Sequence, residues 1–127
     1  MVKITTEEML LAICTKIDET DQIRYVLIKR KIELQVTIPS LEKDYDKYGL
    51  LHKQEFKLHS DFKASGNTYN AKEHKKIMKG LGRKHAQIKI ELNRSRNELE
   101  LVAKKITQAD DYIKKLENKA ENLKQFK

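Results

Sequence analysis

The chain has no tryptophan, one proline, one cysteine, four glycines and eight aromatic residues in 127, and each scarcity removes a class of protein. With Cys14 alone, an intramolecular disulfide is impossible and no zinc-type Cys/His spacing exists. The thiol reads as a small apolar filler near the start of a helix, in a reducing compartment. So few turn formers exclude a fold of many short elements and leave long helices joined by very few turns. The apolar run from Met9 to Cys14 is too short to span a bilayer, and Met1 to Thr6 lacks a signal-peptide core. The expected location is cytoplasmic, without membrane insertion.

What is present is a stripe. Met78, Leu81, Ile88, Leu92, Leu99, Val102, Ile106, Ala109, Ile113, Leu116, Ala120 and Leu123 recur at steps of three and four, interrupted only by His85 and Ser95. A period of 3.5 held over that distance belongs to a helix that supercoils around a partner helix. A weaker stripe precedes it: Ile13, Ile17, Thr20, Arg24, Leu27, Lys31, Leu34, Ile38, Leu41, Tyr45 and Tyr48. Its two cations can contribute only their aliphatic stems.

Boundaries follow from local chemistry. Thr5-Thr6-Glu7-Glu8 has capping-box spacing, so a helix starts there. Residues 64–70, Ala-Ser-Gly-Asn-Thr-Tyr-Asn, gather turn formers, and Asn70 with Glu73 repeats the cap signature. Three details trouble the helices. Ile32, Leu34, Val36 and Ile38 alternate with polar residues as a strand would, but no second strand is evident to pair with them. Pro39 predicts a kink or a short break. Gly80 and Gly82 cost about 1 kcal/mol each relative to alanine and loosen the second helix near its start.

The expected fold is all-α: a single long antiparallel two-helix coiled-coil hairpin, with helix 1 over about 6–63, a turn at 64–70 and helix 2 over about 71–126. Facing residues should sum to 133, pairing Ile13 with Ala120, Leu34 with Leu99 and Tyr45 with Ile88. The midpoint falls between Gly66 and Asn67, on the turn. Each arm would make a rod on the order of 85 Å.

The formal charge is +8, and residues 50–96, with 12 basic and 4 acidic side chains, hold all of the excess. Lys72, Lys75, Lys76, Lys79, Arg83, Lys84 and Lys89 form a basic tip. Aromatic residues for base stacking are missing beside them, which puts an acidic protein surface ahead of nucleic acid as partner. His52, His59, His74 and His85 cluster in the same region but lack the paired spacing of a helical metal site. A two-helix rod offers no concave pocket for catalysis, so neither an enzyme nor a cofactor is expected. A further stripe, Tyr25, Ile28, Ile32 and Val36, lies off the seam of helix 1. It reads either as a docking strip for another protein or as the face of a dimer or of a local packing shift.

A basic helical hairpin of this size, with the segment from Tyr69-Asn70-Ala71-Lys72-Glu73 through Arg94-Ser95-Arg96-Asn97-Glu98-Leu99 to Leu123 running as an unbroken heptad, resembles the FliJ-type stalk proteins of flagellar and type III secretion systems, in particular their short virulence-system members. The resemblance implies a non-catalytic subunit in the central pore of a hexameric secretion ATPase, at the base of a secretion apparatus, reaching toward the export gate and secretion chaperones. Met9, Ile13, Ile17, Ile113, Leu116 and Leu123 would then build the end inserted in the ring. His74, Met78, Leu81 and His85 have the four, three and four spacing with which family members contact the export gate; His74 replaces the family's aromatic. Two other functions stay open: a nucleic-acid-binding coiled coil acting through the basic tip, and a secretion chaperone or coiled-coil adaptor acting through the strip on helix 1.

Overall fold

The computed structural model describes residues 4–125 and is an all-α helical hairpin of two long helices, α1 (Thr6–Ala64) and α2 (Thr68–Gln125). The first starts where its cap predicts. The Glu8 N–H donates to Thr5 Oγ1 at 3.1 Å and the Met9 N–H to the Thr5 carbonyl at 3.0 Å, satisfying donors that a helix start leaves orphaned. Helix α1 continues through the alternating segment 32–38 and through Pro39, so of the two outcomes expected at the proline, a kink or a short break, the break does not occur. Gln35 and Pro39 are both exposed, and the carbonyl that the proline ring releases is within reach of water.

The turn is shorter than its composition suggests. Gly66 takes φ +78°, the Asn67 N–H returns to the Phe62 carbonyl at 3.0 Å, and the Gly66 N–H to the Lys63 carbonyl at 3.3 Å. That is a Schellman closure, which needs a residue without a Cβ at the left-handed position. Asn67 ends one helix and caps the next: its Oδ1 accepts from the Asn70 N–H at 3.2 Å and its carbonyl from the Ala71 N–H at 3.0 Å. The cap is therefore Asn67, not Asn70, and the link is residues 65–67 rather than 64–70. The expected end of the second helix near 126 lies outside the described residues.

The chain divides into two compact units: Met1–Glu33 with Glu98–Lys127, the paired ends, and Leu34–Asn97, the part around the turn. Within the paired ends, Ile13, Val102 and Leu116 are buried, and Ile17, Thr20, Arg24, Leu27 and Lys31 are half-buried at the predicted seam positions. Two ion pairs brace the seam, one from its flank and one from the seam position Arg24. Arg30 grips Glu98 with two hydrogen bonds, Nε to Oε1 at 2.7 Å and a terminal nitrogen to Oε2 at 2.8 Å, while Arg24 Nε donates to Asp110 Oδ1. The guanidinium holds the Glu98 carboxyl below the usual carboxylate range, and the pairing raises the pKa of Arg30.

Within the unit around the turn, Leu34, Ile38, Ala71, Ile88 and Leu92 are buried, Leu34 to 1% exposure. Arg96 reaches Glu42 at 3.2 Å. Counting the seam as heptad positions a and d, Arg30–Glu98 joins g to g and Glu42–Arg96 joins e to e. Like-lettered flanks meet only when the helices run antiparallel.

Candidate functional site

The seam of the unit around the turn differs from a plain leucine zipper, because its wide positions hold histidine. His85 stacks on Tyr45 with centroids 4.2 Å apart, and its Nε2 lies 3.0 Å from where a Cβ on Gly49 would stand. The reciprocal notch is Gly82, where an added Cβ would lie 3.2 Å from His52 Nε2. These two glycines leave room for an imidazole crossing from the opposite helix. Nearer the turn, His59 Nδ1–H donates to the Ala71 carbonyl at 2.9 Å, and His74 Nδ1–H to Glu55 Oε2 at 2.6 Å while its ring stacks on Phe62. All four histidines thus serve the packing of the two helices. Among the described residues no cluster of three or more His, Cys, Asp or Glu could hold a metal ion.

That packing bears on the residues aligned with the export-gate spacing. His74, Met78, Leu81 and His85 are all half-buried in the seam, so a partner reaching them would have to compete with the opposite helix. The cations around them divide into two groups. Lys72, Lys75, Lys76, Lys79 and Arg83 are exposed on one outward face of α2. Lys84 instead lies 6.0 Å from the Tyr48 ring centroid, and Lys89 lines a shallow groove with Glu42, Tyr45, Asp46 and Arg96.

At the paired ends, the residues expected to enter a ring are mostly in the seam. Ile13 and Leu116 are buried and Ile17, Ile113 and Leu123 half-buried, whereas Met9 is 37% exposed. Met9, Ala12, Ile13, Leu116 and Leu123, edged by Lys16 and Lys119, line a largely apolar groove of about 200 Å³. Several outward side chains of this unit are apolar: Ile4, Leu11, Ile23, Tyr25, Val26, Ile32, Leu101 and Tyr112 are exposed, as Leu50, Phe56, Leu58 and Ile77 are in the unit around the turn. Of the predicted strip, Tyr25 and Ile32 in this unit and Val36 in the other are exposed, while Ile28 is half-buried against the seam flank. Cys14, expected as an apolar filler, is exposed.

No protein-family model, no curated protein and no solved structure matches the chain.

Sequence reasoning missed Leu11, Ile23, Val26, Leu101 and Tyr112 because it followed only residues that lined up as stripes. Their signal was present in a simpler form: apolar side chains at heptad positions that a two-stranded seam cannot cover. Among the described residues no helix is long and apolar enough to cross a membrane.

Proposed function

We propose that this protein is a non-catalytic, protein-binding helical hairpin that acts as the central stalk of a type III secretion or flagellar-like ATPase hexamer. The observation that carries the reading is the surface of the paired ends. Two helices suffice to bury Ile13, Val102 and Leu116, yet leave Ile4, Leu11, Ile23, Val26, Leu101 and Tyr112 in water. Apolar residues spread around a two-helix pairing suit an environment that surrounds it, as a ring pore does, better than a single flat partner. The paired ends hold 13 basic and 12 acidic residues, so no strong charge opposes insertion.

Such a stalk needs no chemistry of its own. An asymmetric insert that interacts differently with the alternative states of a symmetric ring shifts their populations and thereby the rate of hydrolysis. The export gate and secretion chaperones are the partners that this reading assigns to the rest of the chain. The test is ATP turnover by a hexameric export ATPase across ring concentrations, with and without the protein. Stimulation that is lost when Leu11 and Val26 are both changed to Glu supports the stalk; no stimulation and no co-purification reject it.

A second reading, an adaptor that captures another secreted or chaperone protein, is favoured by the exposure of Tyr25 and Ile32. Polar replacement of those two residues would abolish capture but leave ATPase stimulation intact.

A further inference from the structure

The cations of α2 are not spread evenly over its outer surface. At 100° per residue, Lys72, Lys75, Lys76, Lys79 and Arg83 fall within an arc of about 100°, over about 16 Å of helix. Glu73 and Glu91, the acidic residues of segment 68–97, both project about 60° beyond the edge of that arc. Among the described residues, Lys76 with Glu73, at 3.7 Å, is the ridge's one ion pair, and the Lys76 side chain remains 72% exposed. The ridge is therefore a line of five cations with one acidic partner, in a unit with 14 basic and 7 acidic residues.

Two apolar side chains continue the line. Tyr69, 75% exposed, lies at its start, and Ile90, 59% exposed, lies on the same arc beyond Arg83 and Ala86. From Tyr69 to Ile90 is about 32 Å along the axis, near six turns. Arg94, exposed at the edge of the same arc one turn beyond Ile90, resumes the charge, so the order over 69–90 is apolar, cationic, apolar, and the apolar ends decide the class of partner. Phosphodiesters would engage the cations but gain nothing from Ile90, and no second aromatic accompanies Tyr69 to stack bases. An acidic helix with an apolar residue at each end would satisfy all three parts, because charges steer and orient it while the ends exclude water.

We propose that the outward face of α2 from Tyr69 to Ile90 is a docking ridge for an acidic, amphipathic helix of a partner protein. The ridge is separate from the seam and does not depend on the stalk reading, since it uses none of the residues assigned to the ring.

The probe is a labelled synthetic helix of about six turns with glutamate along one face and leucine at both ends, compared with a labelled DNA duplex of about two turns. Binding of each to the full chain is read by fluorescence anisotropy at low and physiological salt. Expected results are tighter binding of the peptide than of the duplex and a loss of about tenfold or more when all five ridge cations become Gln. Tyr69→Ala with Ile90→Ala should weaken the peptide about fivefold and leave the duplex unchanged. Replacing Lys104 and Lys105, which lie outside the ridge, by Gln should alter neither. Circular dichroism checks that the variants fold; should the variant lacking all five cations not, Lys76→Gln with Lys79→Gln tests the same dependence on charge. Duplex binding equal to or tighter than peptide binding overturns the proposal, as does full peptide binding by the neutralised ridge.

Discussion

In the paired ends, charges are matched at the seam or beside it, as Arg24 with Asp110 and Arg30 with Glu98, while the outward face carries Leu11, Ile23, Tyr25 and Val26. Around the turn, Arg96 with Glu42 flanks the seam in the same way and Leu50, Phe56 and Ile77 are also exposed, but histidines and glycines enter the seam and a ridge of cations with a single acidic partner stands outside it. One heptad rule builds both units, so the difference resides in what each leaves uncovered. Pairing of α1 with α2 consumes the regular positions, and binding is left to the irregular ones.

The comparison is broken most directly in the seam. Leu34→Ala should cost about 3 kcal/mol and lower the urea midpoint of the hairpin, since Leu34 is the most completely buried residue and a two-helix pairing has little else to close over the void. Val36→Ala, at an exposed position of the same helix, should change stability by no more than about 0.5 kcal/mol in the same titration. A seam that ignored this distinction would not be the one described.

The histidine character of the turn unit is sharpened by His74→Ala. It removes the donor to Glu55 and the ring stacked on Phe62, and leaves a carboxylate that is only 20% exposed without its partner. The expected loss is about 1 to 2 kcal/mol, measured by thermal denaturation at neutral pH. Glycines give a smaller and signed contrast. Gly80→Ala, with nothing within 4 Å of the new methyl group, should gain about 0.5 to 1 kcal/mol from helix propensity alone. Gly49→Ala should lose that gain, because its Cβ would meet His85, whose ring is held by Tyr45.

The smallest effect is expected at Glu98. Its pKa is depressed by the Arg30 hydrogen bonds, so its contribution is present above the ordinary carboxylate range and disappears as pH falls through the depressed value. Glu98→Gln should reduce the difference between melting temperatures at neutral and acid pH, modestly because the pair is exposed.

Much of this could be read from the residues. The two stripes, the Thr5 cap and the turn at Gly66-Asn67 are local or periodic signals, and the fold expresses each of them. Cross-helix partners lie close to the expected sum of 133: Arg24 with Asp110 gives 134, Tyr45 with His85 gives 130 and Phe62 with His74 gives 136. Pro39 was harder, because a proline signals a break and only the exposure of its surroundings shows that the lost hydrogen bond is tolerable. Gly49 and Gly82 were harder still. A glycine inside a helix reads as a weakness until the side chain crossing from the other helix is known, and that is a long-range fact. The division of seven clustered cations into a ridge of five, one residue beside Tyr48 and one in a groove likewise depends on helix phase, which composition does not contain.

Asn67 has one further consequence. As the last closing residue of α1 and the cap of α2, it leaves the link without a spare residue, so the link sets rotational phase as well as direction. An extra residue after Asn67 would turn α2 by about 100° about its own axis, carrying the lysine ridge out of alignment and presenting the histidines to water. Seven extra residues would nearly restore it. Length variation at this hairpin's tip is therefore quantised: whole heptads pass, and single residues do not.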